Sequence, residues 1–428
     1  MPIKTEKVYV DMAANLSNAI DTMSLPRHRW YYYKEGFSPN LVNKAIDELQ
    51  LGENDLIIDP FNGSGTVTLT SAMRGIPSIG VEVNPFTAFI ARTKSYNVEW
   101  KELEDYSKSL IEAIKNDAHT TSRWIGISTF TENDRLKKWL FNRPVADAYE
   151  IGFRFLDSVR SVEIRDILKL ALVSSLMANA NARRDGKCFK YKKGWKTNEY
   201  DKVSFLENLL SKLKVCLEDV KKTHVKAHPL VVCQDSRSFL RDSDKDGFSL
   251  CITSPPYLNT FDYTDIYRPE LFLGGFIPSN EALYQLRLNT VRSHVQALWT
   301  TPTVNNFGAE YAKVMEHLLD HQDLLMSKRI PMMVQAYFED MKDILESLFR
   351  KMRNNGQVWI VVSTSAYAGM EIPVDTIIGY IGTTAGFKLK DIEKLRDIRK
   401  RKTKNSGNID FLRESLIKLM KASGSGSG

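Results

Sequence analysis

Several common functional signals are missing from this 428-residue chain. Its four cysteines, Cys188, Cys216, Cys233 and Cys251, include no CxxC pair, which argues against a zinc site or a disulfide framework and for a reducing cytoplasmic setting. No apolar run is long enough to cross a bilayer, and the segment from Met1 to Lys7 lacks the apolar core of a signal peptide. No membrane association is therefore expected. His317 and His321 stand four residues apart, but without an HExxH pattern or a third ligand nearby no metal is expected. The GxGxxG fingerprint is absent, and no lysine follows the glycine turn at Gly63 and Gly65, which argues against a phosphate-cradling loop.

With 43% hydrophobic and 26% charged residues, the composition is that of a globular chain with one large or two to three modest domains. The net charge of +7 is mild, but basic residues cluster at 183–196 and 396–404. The serine–glycine repeat at the C-terminus reads as an appended flexible linker over 421–428.

Two strand-end loops stand out. Phe248-Ser249-Leu250-Cys251-Ile252 reads as a buried strand leading into Thr253-Ser254-Pro255-Pro256-Tyr257. The prolines there fix φ and donate no backbone hydrogen bond, so the loop is a stiff platform at the place where open α/β sheets bind ligands. Upstream, Asp55 to Asp59 reads as a strand that runs through Pro60, Phe61 and Asn62 into the turn Gly63-Ser64-Gly65, with a helix starting near Thr66. Glycines allow close backbone approach, and the helix N-terminus behind them favours a carboxylate or ribose oxygens. About twenty residues on, a second strand ends in Glu82-Val83-Asn84-Pro85, where an acidic side chain is placed to accept from ribose hydroxyls rather than being a plain surface charge. Ser38 and Pro39 open a helix after the aromatic-rich residues 26–40, whose rings suit core or interface packing as well as a site.

Together these motifs resemble the S-adenosylmethionine-dependent DNA amino-methyltransferases, which modify cytosine at N4 or adenine at N6. The resemblance implies a Rossmann-like α/β fold, a mostly parallel sheet with one antiparallel strand and helical insertions. It implies that Asp59, Pro60, Phe61, Gly63, Ser64, Gly65 and Thr66 hold the methionine part of the cofactor S-adenosylmethionine. Phe37 and Ser38 would line the same pocket, Glu82 with Asn84 would take the ribose, and Asp235 the adenine, although capping the following helix is a competing role for Asp235. Ser254, Pro255, Pro256 and Tyr257 would form the catalytic loop, with Ser at its first position favouring cytosine over adenine.

On this reading the methyltransferase core comprises 26–96, 230–257 and 334–420. Residues 97–229 form a helical insertion and 258–333 a second one, an order that departs from the family's usual arrangements. Residues 183–196 carry seven basic side chains against one acid, interleaved with Phe189, Tyr191 and Trp195. Arg183, Arg184 and Lys187 would then contact a phosphate backbone, unless the segment is a solvated loop. Arg292, Asn259 and Tyr263 are further substrate candidates, and 396–404 reads as a solvated loop at the sheet edge. The implied partner is double-stranded DNA with its target base flipped out, alongside a separate restriction nuclease, in the prokaryotic cytosol or nucleoid. RNA or protein methylation, and a cofactor-bound nucleic-acid-binding subunit without activity, are the competing functions; the sequence does not disclose an oligomeric state.

Overall fold

The structure is a computed structural model that describes residues 16–117, 130–132, 136–186, 188–399 and 409–423. Its strands in chain order are β1 (Ile57–Asp59), β2 (Ser78–Val81), β3 (Ala182–Asp185), β4 (Cys188–Tyr191), β5 (Leu230–Val232), β6 (Phe248–Thr253), β7 (Met352–Ser363), β8 (Ser365–Tyr367), β9 (Met370–Ile372), β10 (Lys388–Arg399) and β11 (Phe411–Met420). Seven of them form one sheet in the order β10-β11-β7-β6-β1-β2-β5. Strands β5, β2, β1, β6 and β7 are parallel, and β11 runs antiparallel to both β7 and β10. The expected sheet with a single antiparallel strand is present.

The continuous apolar runs of β1 and β6 are buried at every position, as central parallel strands covered on both faces must be. Strand β7 shows how the two faces are divided. Trp359 and Val361 pack with Leu41, Val42 and Ile46 of the helix Pro39–Glu48, whereas Val358, Ile360 and Val362 pack with Tyr337, Phe338 and Met341 of the helix Ile330–Lys351. A separate core joins the helices Trp100–Asn116, Arg143–Phe155, Val162–Ala178 and Lys202–Lys222 through Leu103, Tyr149, Leu168 and Phe205. Trp30, Tyr31 and Phe86 belong to this core too, so it is continuous with the sheet's helices.

Three segments differ from the sequence-based expectation. The basic stretch expected to be a loop at 396–404 begins inside β10, and residues 400–408 lie outside the described residues. Strand β10 is mostly charged, with apolar residues only at Leu389, Ile392, Leu395 and Ile398 and most positions exposed, as suits a solvated edge strand. Strand β11, not read from the sequence at all, fills the place between β10 and β7. Within 183–196 the chain folds into the two-stranded hairpin β3–β4.

Candidate active site

The chain passes from β1 outward through β2 to β5 and then returns to the other side of β1 as β6. The carboxyl ends of β1 and β6 therefore flank the point where strand order reverses, and there the two connections leave in opposite directions and open a crevice. The cavity at this point has a volume of about 370 Å³, within the range of small-molecule sites. Thr253 ties the two strands together by donating its hydroxyl to Asp59 Oδ1 at 2.6 Å. Phe61 N donates to the same oxygen at 3.0 Å. Burial pushes the Asp59 carboxyl up to about 7, with the nearby Glu82 acting in the same direction.

The glycine turn is shaped by close packing. Gly65 has φ +86°, and a side chain there would stand 2.8 Å from Ala91 Cβ, so neither the backbone conformation nor the space admits another residue. Gly63 N donates to Glu82 Oε2 and Asn84 N to Glu82 Oε1, both at 2.8 Å. These bonds aim the carboxylate while each oxygen retains a lone pair; desolvation raises its pKa. Asn84 also caps the helix Pro85–Lys94 by accepting from Phe86 N at 3.0 Å. Behind the turn, the buried Lys94 ammonium donates to the carbonyls of Tyr31 (3.3 Å) and Ser64 (3.4 Å), and burial pushes its pKa down to about 7.

The second wall is the loop after β6. Ser254 donates its hydroxyl to the Val361 carbonyl at 3.0 Å. A serine has one proton to give, so toward the cavity Ser254 can only accept. The Pro255 carbonyl is a second acceptor beside it, and Pro256 brings no N–H. Tyr257 donates to Glu414 Oε1 at 2.5 Å, and burial together with that carboxylate raises its pKa well above the usual phenol value.

The cavity brings together Phe37, Asp59, Pro60, Phe61, Gly63, Ser64, Thr66, Glu82, Asn84, Asp235, the residues Ser254 to Tyr257, Asn259 and Tyr263. Ser38 and Gly65 shape it from behind. Ser38 accepts from Asn40 N at 3.0 Å as a helix cap and donates to the Asp21 carboxylate. Asp235 reaches the cavity wall, but it also caps the helix Ser236–Asp242 and pairs with Arg237 Nη2 at 2.7 Å, so its alternative role as a cap is the one with observed partners.

Two of the arginines expected to contact substrate are held in ion pairs. Arg184 pairs with the fully buried Glu270, donates to the Ile266 carbonyl at 2.9 Å and lies over the Tyr267 ring at 4.5 Å. Arg292 pairs with both Glu339 and Asp340 at 2.7 Å. Both guanidinium groups face buried carboxylates, Glu270 and Asp340, whose charges at that depth must be paired. Arg183 is exposed, and Lys187 lies outside the described residues. The aromatic rings of the hairpin are also occupied. Trp195 packs against Trp139 (5.0 Å) and Tyr191 (4.9 Å), and Phe189 lies beneath Arg184.

Sequence reasoning missed other lining residues. Tyr33 stacks on Tyr267 at 5.4 Å and closes over Gly63, while Glu35 accepts from Tyr267 at 2.6 Å with its carboxyl raised by burial. The aromatic density of 26–40 was the available signal, and it splits: Trp30 and Tyr31 are core, Tyr33 and Phe37 are site. Asn289, Thr290 and Val291, and Ile398 and Glu414 from β10 and β11, gave no signal, whereas Arg396 lies in the basic cluster at 396–404 that reads as a solvated loop. The rings of His317 and His321 stack at 4.2 Å, and no cluster of three metal-ligating side chains occurs among the described residues. Nor is any helix among them long and apolar enough to cross a membrane.

The type II methyltransferase M.BsoBI of Geobacillus stearothermophilus is 30% identical over 447 residues, spanning 91% of this chain and 84% of that protein. This chain belongs to the type II methyltransferases. M.AvaI of Nostoc sp. is 27% identical, covering 86% of this chain and 80% of its own length, and M.MvaI of Kocuria varians is 22% identical with 82% and 80% covered. No protein-family model matches the chain. Among solved structures, TrmN from Thermus thermophilus shares 10% identity over 90% of this chain and 49% of its own, with a TM-score of 0.29, too remote to bear on the site.

Proposed function

We propose that this type II methyltransferase transfers the methyl group of S-adenosylmethionine to the exocyclic N4 amine of cytosine in double-stranded DNA, at a base turned out of the helix. One observation carries the reading. The Ser254 to Tyr257 loop and the Gly63–Glu82 corner face a single cavity, so donor and acceptor would share one space.

The residues present fit the cofactor. Glu82, held by two backbone donors, keeps lone pairs for two ribose hydroxyls. The glycine turn lets the backbone approach closely, and Phe37, Phe61 and Tyr33 give apolar cover. S-adenosylmethionine, when bound, supplies an electrophilic methyl group on a positively charged sulfur.

An exocyclic amine is a poor nucleophile because its lone pair is delocalised into the ring. Ser254 Oγ, with its own proton on Val361, and the Pro255 carbonyl accept the two amine hydrogens and favour the pyramidal, nucleophilic form. Tyr257 offers its ring as a stacking face. Only an extruded base reaches such a pocket, and unstacking costs about a few kcal/mol. Serine at the first position of the loop supports cytosine over adenine by family resemblance. The exposed side chains Arg183, Lys190, Lys193 and Lys196 on and beside the β3–β4 hairpin supply a basic surface for the phosphate backbone.

The test is to incubate the protein with methyl-labelled S-adenosylmethionine and duplex DNA, digest to nucleosides and separate them. Label in N4-methylcytosine is expected. Label in N6-methyladenine would replace cytosine with adenine as the target, and label only in RNA or protein substrates would overturn the reading.

A further inference from the structure

Tyr257 does not end at its own hydroxyl. The hydroxyl donates to Glu414 Oε1 at 2.5 Å, and Glu414 Oε2 accepts from Arg396 Nε at 2.6 Å. Three elements contribute one residue each: the loop after β6, strand β11 and strand β10. Glu414 is only 2% exposed, so its charge is sustained by these two partners rather than by water.

The register of the edge strand is adjusted to make this contact. Lys394 pairs with Ser415 and Arg396 with Glu414, so Leu395 is an extra residue bulged out of the ladder. In an unbroken antiparallel register Leu395 would oppose Glu414, and Arg396 would oppose Arg413. The bulge replaces a like-charge pair with an ion pair and turns Arg396 toward the cavity, where Ile398 joins it two residues on. Arg396 directs a single N–H to Oε2 and leaves Oε1 to the tyrosine, although a bidentate pair would satisfy the carboxylate without it. The ten paired positions of β10 and β11 already hold the edge strand in place.

We infer that Glu414 and Arg396 are positioning residues for methyl transfer: they fix the plane of the Tyr257 ring against which the target base stacks. The inference rests on the stacking role given to Tyr257 above. Ser254 is anchored to β7 through Val361, and Tyr257 to β11 through Glu414. Because β7 and β11 are neighbours, both ends of the catalytic loop are clamped to the antiparallel margin of the sheet. Losing the second clamp leaves the ring in place but free to tilt, which disturbs the in-line approach of the amine more than it disturbs binding.

The experiment is a double-mutant cycle on Tyr257→Phe and Glu414→Gln, with a DNA that the wild-type protein methylates. Each single variant is expected to lower kcat about tenfold, as loss of one hydrogen bond to a charged group predicts, with the Kd for S-adenosylmethionine unchanged. The double variant is expected to be no slower than the slower single variant. A Glu414→Gln variant with wild-type kcat, or one that lowers kcat by the same factor in the Tyr257→Phe background, overturns the inference. The second outcome is that of a residue acting only through the fold. Should Glu414→Gln not fold, Arg396→Gln at the more exposed end of the chain of bonds carries the same test and the same criteria. Failure of the parent reading looks different: the wild-type protein would then transfer no methyl group to DNA at all.

Discussion

Replacing Asp59 with asparagine isolates one buried charge without disturbing the contacts around it. Both hydrogen bonds to Asp59, from the Thr253 hydroxyl and from Phe61 N, go to Oδ1, so an asparagine with its carbonyl oxygen in that place keeps both. Desolvation raises the carboxyl from 3.8 to about 7 on folding. Between those values the folded protein holds a proton that the unfolded chain has released. The corresponding stability is therefore complete below pH 3.8 and is lost as pH rises through 7. At about 1.4 kcal/mol per pH unit over roughly three units, the ionised carboxylate costs about 4 kcal/mol at pH 8. That is a large part of the roughly 5–15 kcal/mol by which domains are stable. The measurement is urea unfolding of both proteins from pH 5 to 8. Asp59→Asn is expected to gain on the wild type steadily up to pH 7 and to hold a constant advantage above it. A site that retains such a penalty needs the negative charge. Affinity of the wild type for the sulfonium cofactor should accordingly rise over the same window, and that of Asp59→Asn should not. A stability difference independent of pH would refute the argument.

Two further outcomes follow from the site. Ser254→Ala removes one amine acceptor while the Pro255 carbonyl remains, and kcat should fall about a hundredfold, the scale found for single preorganised hydrogen-bonding groups. Its cofactor affinity, measured by calorimetry, should stay at the wild-type value; full activity would remove Ser254 from the mechanism. Charge reversal at Arg183 and Lys190, both exposed on the hairpin, should weaken DNA binding and lower the slope of log K against log salt by about one for each phosphate left without its cation. An unchanged slope would return the hairpin to a purely structural role.

What could be read from sequence was governed by how local the deciding interaction is. The turn Gly63 to Gly65 and the loop Ser254 to Tyr257 are marked by short apolar runs that end in glycine or proline, and the structure brings them to one cavity. The fate of an arginine is not local. Arg184 and Arg292 look like surface cations until Glu270 and Asp340, 86 and 48 residues further along the chain, fold beneath them. The same holds for β10 and β11. The end of β10 from Arg396 reads as a polar loop because its apolar positions are sparse, and its continuation as a strand depends on the ten-residue partner beside it.

The strand order explains why the least legible part of the chain still reaches the site. The corner proposed for the cofactor is built by β1 and β2, whose loops lie within one continuous stretch of sequence. The acceptor side starts from β6, across the reversal from β1, and its next neighbours are β7 and β11. Any side chain that steadies the acceptor loop from its outer flank must come from those strands, far along the chain from the loop. Glu414, 157 residues after Tyr257, meets that requirement. A strand that runs antiparallel exposes its first residues where its parallel neighbours present their last. Glu414 near the start of β11 therefore stands at the carboxyl end of β7, opposite Ser363, level with the site rather than at the far side of the sheet.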